Sequence, residues 1–130
     1  MSNSNSQNYG KIYNLDVCFN SLRANNNRYD LDHNLENVVY NELLDMGYEL
    51  KVFNNKGKEI DFLASKNRKT YLIQVAYSVV DEKAYNREFG AFADLDNSNR
   101  NILITNDVVD YLSSTVRHIK LEDFLMMEEL

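Results

Sequence analysis

Residues 57–77 read Gly57-Lys-Glu-Ile-Asp-Phe-Leu-Ala64, then Ser65-Lys-Asn-Arg-Lys69, then Thr70-Tyr-Leu-Ile-Gln-Val-Ala-Tyr77. Two apolar runs flank a polar, charged turn, which is the pattern of a β-hairpin. With Asn67 and Arg68 as the turn, Lys66 pairs with Lys69, and counting outward sets Asp61 opposite Gln74. Directly opposed residues point to the same face, and side chains alternate along each strand. Glu59, Asp61, Gln74 and Ala76 are therefore expected on one face, and Ile60, Phe62, Ile73 and Val75 on the other, as core. A carboxylate pair beside an amide carbonyl offers the oxygen donors that a hard divalent cation takes.

Before the hairpin, Leu35, Val38, Val39, Leu43 and Met46 recur at helical spacing. They predict a helix from Asp32 to about Met46, capped by Asp32 or Asn34 and closed by Gly47 in the left-handed conformation. Glu36 then falls in the first turn. Two roles suit it there: complementing the positive end of the helix dipole, or reaching over the hairpin face as a third ligand. Tyr48–Phe53 reads as a strand. Beyond the hairpin, a helix is expected over Glu82–Leu95, with Gly90 as a place for it to break. Asn101–Thr105 suits a buried strand, parallel to the Gln74 strand after a crossover helix. Asp107–Ser114 reads as a loop, Val116–Lys120 as a last strand and Leu121–Met127 as a last helix. At the other end, residues 1–10 read as a disordered Ser/Asn-rich leader, Lys11–Val17 as a short strand and Cys18–Ala24 as a short helix. The whole predicts one α/β domain over 11–130. Its core order is α-β-β-β-α-β, around a mixed sheet of four or five strands with a helix on each face.

The chain has 130 residues and a formal charge of −6. That charge argues against a general nucleic-acid coat, whose affinity comes from neutralising phosphates. Between Lys51 and Lys69, however, six basic residues stand against two acids, Glu59 and Asp61. This local excess reads either as a solvated hairpin edge or as a phosphate-facing rim around the Asp61 site. Cys18 is alone, which excludes an intrachain disulfide and fits a reducing compartment. His33 and His118 lack metal-ligand spacing. With no apolar run of membrane-spanning length and no signal-peptide core, the expectation is a cytoplasmic protein with no membrane partner.

An acid, then some ten to fifteen residues, then acid-x-Lys on adjacent strands is the PD-(D/E)XK nuclease pattern, and this chain resembles it. More closely it resembles the restriction-endonuclease-like domain that ends many prokaryotic AAA+ ATPases. The matching stretches are Lys11–Asp16, Leu35–Leu43, Gly57–Phe62, Ile73–Tyr77, Arg87–Phe89 and His118–Leu125. The resemblance implies a restriction-endonuclease-like fold. Its acidic positions fall on Glu36, Asp61 and Gln74, with Glu59 as a further ligand and Mg²⁺ or Mn²⁺ as cofactor. It implies an AAA+ ATPase domain as partner, along with nucleic acid and a second copy of the chain as candidates. Where the pattern wants an acid this chain has Gln74, and where it wants Lys it has Ala76. A neutral ligand weakens the metal site, and the missing cation removes help to the attacking water. The preferred reading is a degenerate, non-cutting binding module; the alternative is an active metal-dependent DNA nuclease with a Gln-x-Ala motif. Gln74→Glu with Ala76→Lys is expected to restore the ligand-plus-cation set. No Gly-x-x-x-x-Gly-Lys-Ser/Thr loop occurs, since Gly57-Lys58 is followed by Glu59, so ATP binding by this chain alone is not expected.

Overall fold

Apolar residues fill both faces of one sheet in the computed structural model, which describes residues 28–55, 57–93, 95 and 100–130. The leader, the strand and helix expected over 11–24, Cys18 and the loop at 96–99 lie outside the described residues. Helix α1 spans Arg28–Asp45, followed by β1 (Glu49–Asn55), β2 (Lys58–Lys66) and β3 (Lys69–Ala76). Helix α2 (Glu82–Gly90), β4 (Arg100–Thr105), β5 (Arg117–Lys120) and α3 (Leu121–Met126) complete the order. The five strands lie side by side in chain order. β1, β2 and β3 pair antiparallel, while β4 and β5 run parallel to β3. This is the mixed sheet, with helices on both faces, that the element order predicts.

The central hairpin has the expected register, with Lys66 opposite Lys69 and Phe62 opposite Ile73. Its turn places both Asn67 (φ 52°) and Arg68 (φ 65°) in the left-handed region. Positive φ at both central residues matches the right-handed twist of the flanking strands.

Three local expectations are corrected. Helix α1 starts at Arg28, four residues before Asp32, so neither Asp32 nor Asn34 is its cap. Asp32 instead accepts a hydrogen bond from Tyr77 N–H (2.8 Å), tying the helix to the end of β3. Glu36 is consequently two turns into the helix, beyond the reach of a first-turn dipole role. Helix α2 ends at Gly90 and does not continue to Leu95.

The third correction concerns the faces. Lys51 pairs with Leu63, but Phe53 pairs with Ile60, so Asp61 and Phe62 together oppose the single residue Val52. Such a β-bulge breaks the alternation at that point. Phe62, Ala64, Ile73 and Val75 face α1 and α3, packing with Leu35, Val39, Leu43, Ile102 and Phe124. Ile60 crosses to the other side, joining Leu72, Ala76, Val79, Phe92 and Leu103 under α2. The predicted C-cap of α1 is present: Gly47 has φ +94°, with Tyr48 N–H bonded to Leu43 O and Gly47 N–H to Leu44 O.

Parallel neighbours normally need a crossover helix, yet β4 and β5 are joined by residues 106–116 without one. Polar ties hold that loop to the sheet. Asp107 accepts from Ser78 Oγ, Val79 N–H and Tyr111 Oη, and Tyr111 N–H donates to His118 Nδ1 at 3.4 Å. Nδ1 is thus an acceptor, and His118 Nε2, which lies 2.8 Å from Thr105 Oγ1, carries the proton. Burial lowers the His118 pKa, in keeping with a neutral ring.

Candidate functional site

The bulge decides the geometry around Asp61. The β2–β3 ladder stops at the Phe62–Ile73 pair, and side chains take over from the backbone beyond it. Asp61 N–H donates to Gln74 Oε1 (3.0 Å), and Val75 N–H donates to Asp61 Oδ2 (2.9 Å). The opposition of Asp61 and Gln74 predicted from the hairpin count is therefore realised, through a pair of backbone-to-side-chain bonds.

Gln74 also reaches across to α2. Its Nε2 donates to Glu88 Oε2 at 2.8 Å, and Glu88 Oε1 accepts from Arg87 Nε at 3.2 Å. Glu88 is only 8% exposed, so the Gln74 amide supplies a buried carboxylate with a needed partner. Sequence reasoning passed over Glu88. Its signal was available: an acid on a helix that otherwise presents Ala84 and Phe89 toward the sheet. Next to it opens a cleft of about 350 Å³, lined by Glu59, Gln74, Asn86, Arg87 and Glu88.

Glu36 approaches from α1, on the other side of the sheet. Its charge, second to burial, raises the Asp61 pKa, which is pushed up to about 7, with smaller contributions from Glu88 and Glu59. The Val75 N–H opposes the shift. Glu36 is itself raised, mainly by burial. The four acids feel one another, yet among the described residues no group of three or more His, Cys, Asp or Glu is placed to hold a metal ion. Asp61 and Gln74 are brought into contact, Glu36 into electrostatic range, and exposed Glu59 to the cleft rim.

Two further expectations change. Ala76 shares the Gln74 side of the sheet but is 2% exposed within the apolar cluster of Ile60, Leu72, Val79 and Leu103. A lysine there would start from the core, so the substitution expected to restore a cation does not have open space to do so. Only part of the basic excess sits away from the site, since Lys51 pairs with Leu63 and Lys58 begins β2 three residues before Asp61. Lys66, Arg68 and Lys69 cluster at the turn, five or more strand residues from Asp61, roughly 17 Å at strand rise. Lys66 moreover donates to Met46 O at 2.6 Å and lies 3.9 Å from Glu129.

The raised pKa gives a signed prediction. The folded value of Asp61 lies above its ordinary 3.8, so between 3.8 and about 7 the folded chain holds the extra proton. Stability from this group is present below 3.8 and is lost as pH rises through 7. Asp61→Asn keeps an acceptor for Val75 N–H but cannot ionise. It is expected to stabilise the protein by roughly 1–3 kcal/mol above pH 7 and to be neutral below 3.8. Urea unfolding of both proteins across that range checks this. A variant less stable than the parent above pH 7 but not below 3.8 would mean that the Asp61 carboxylate is favourably ionised.

Comparison with known proteins gives one finding. The family described as "Domain of unknown function (DUF4143)" matches residues 31–124, well over half of the chain, from the first turn of α1 into α3. Searches of curated proteins and of solved structures found no match. No described helix is long and apolar enough to cross a membrane.

Proposed function

The chain belongs to the DUF4143 family, and we propose that it is a non-cutting, PD-(D/E)XK-like accessory module of an AAA+ ATPase, acting by binding nucleic acid or protein. The observation that carries this reading is the use to which Gln74 is put. At the position where the nuclease pattern places a metal-binding acid, both ends of the Gln74 amide are engaged, one by Asp61 N–H and the other by Glu88. One lone pair of Oε1 is already taken by the Asp61 N–H, and the neutral amide brings no charge to a metal. The position two residues on is occupied by core. The α-β-β-β-α-β order and the opposition of Asp61 to residue 74 support the kinship. The departures at 74 and 76 support loss of chemistry.

The expected result is no Mg²⁺- or Mn²⁺-stimulated cleavage of single- or double-stranded DNA by the purified chain, with Asp61→Ala as control. Loss of a positioned transition-state donor commonly costs about a hundredfold to a thousandfold in rate, and here a charged ligand is missing as well. Metal-dependent cutting that Asp61→Ala abolishes would overturn the proposal in favour of an active nuclease. The AAA+ association is tested separately. Co-expression with an AAA+ ATPase domain of the prokaryotic type that the resemblance names should give a co-purifying complex, and its absence would overturn the association.

A further inference from the structure

The two ends of the sheet differ in charge. Glu36, Glu59, Asp61 and Glu88 gather towards one end. At the other, the starts of β3, β4 and β5 bring Lys69, Arg100 and Arg117 to the same side as Lys66 and Arg68 at the hairpin turn. Described acidic groups also reach this end: Asp45 closes α1, Glu49 starts β1 and Glu129 lies against Lys66, while Leu130 O accepts from Tyr71 Oη. Here a cavity of about 450 Å³ opens, lined among others by Tyr71, Arg100, Asn101, Ser113, Thr115 and Arg117. That volume suits a small organic ligand.

The strand register explains how the cavity is built. Tyr71 pairs with Arg100, and Ile102 pairs with Arg117. Arg100, Ile102 and Arg117 therefore share a face, and the two arginines are diagonal neighbours on adjacent strands. Arg100 is held in place: Nη1 donates to Tyr71 Oη at 2.9 Å, and its guanidinium lies 5.4 Å from the centre of that ring. Neither arginine has a carboxylate partner among the described residues. Ser113-Ser114-Thr115 adds a run of hydroxyls beside them.

We propose that this cavity binds a small phosphomonoester. The phosphate is taken by Arg100, Arg117 and the hydroxyl run, because guanidinium forks match phosphate oxygens. This site lies at the opposite end of the sheet from Asp61 and does not depend on the reading of that site.

The test is NMR titration of the whole chain with AMP, inorganic phosphate and adenosine, following backbone amides. AMP should give saturable shifts at Arg100, Asn101, Ser113–Thr115 and Arg117. Inorganic phosphate should shift the arginine and hydroxyl residues more weakly, and adenosine alone should not bind. Arg117 is exposed and without a described side-chain contact, so Arg117→Gln should fold as the parent does. It should weaken AMP binding at least about tenfold, the loss expected of one charge-assisted contact. Absence of saturable shifts with both AMP and phosphate, or equal AMP affinity in Arg117→Gln, overturns the proposal. So do shifts that arise only with single-stranded DNA and spread to Arg68 and Lys69, which would make this end a nucleic-acid surface instead.

Discussion

Ala76→Lys is expected to destabilise the protein by about 3–5 kcal/mol, the cost of an uncompensated buried charge. Ala76 is 2% exposed, and its surroundings are Ile60, Leu72, Val79, Phe92 and Leu103. Those side chains offer no acceptor, and the nearest residue with one on the same strand face, Gln74, already spends its carbonyl on Asp61 N–H. The lysine would also add volume to a packed cluster, and overpacking carries its own penalty. The Gln74→Glu, Ala76→Lys double variant is therefore expected to lose stability and not to gain DNA cleavage. Urea unfolding of Ala76→Lys, with cleavage assays of the double variant, gives the measurement. Near-parental stability of Ala76→Lys would show that the ammonium escapes towards the cleft beside Gln74, and the site would then be open to reconstruction.

Gln74→Glu is expected to have the second-largest effect, and one that depends on metal. The parent amide donates to Glu88 at 2.8 Å. The variant replaces that donor with a carboxylate, within range of Asp61 as well. Losing a hydrogen bond to a charged, buried group costs roughly 1.5–3 kcal/mol, and repulsion adds to it. In EDTA the variant should melt below the parent. Mn²⁺ should restore it, because a cation that binds only the folded state stabilises by about 2.7 kcal/mol at a hundredfold excess over Kd. The parent should respond little. Thermal melts of both proteins with EDTA and with Mn²⁺ decide the matter. Melting curves identical to the parent's under both conditions would mean that position 74 faces neither Glu88 nor a potential metal site.

Much of the site was legible because a hairpin is local. Once Asn67 and Arg68 are read as a two-residue turn, the register follows by counting, and the Asp61–Gln74 opposition follows from the register. The same counting misplaced Ile60. Counting assumes an unbroken alternation, and the bulge that breaks it arises where β2 must match β1 and β3 at once. The start of α1 was missed for a similar reason. Asp32 looks like a cap by residue type, but its carboxylate serves Tyr77 N–H, 45 residues away.

The amino-acid sequence by itself determined the element order, the mixed sheet, the left-handed closure at Gly47 and the pairing across the central hairpin. Each of these depends on periodicity or on neighbours close in the chain. Tertiary structure alone decided that Glu88 completes the Gln74 network, that Ala76 is core, and that burial and Glu36 push the Asp61 pKa up to about 7. It alone gathered Arg100 and Arg117 beside one cavity. Burial and electrostatics depend on which elements meet across the sheet, and residues far apart in the chain carry no local mark of that meeting.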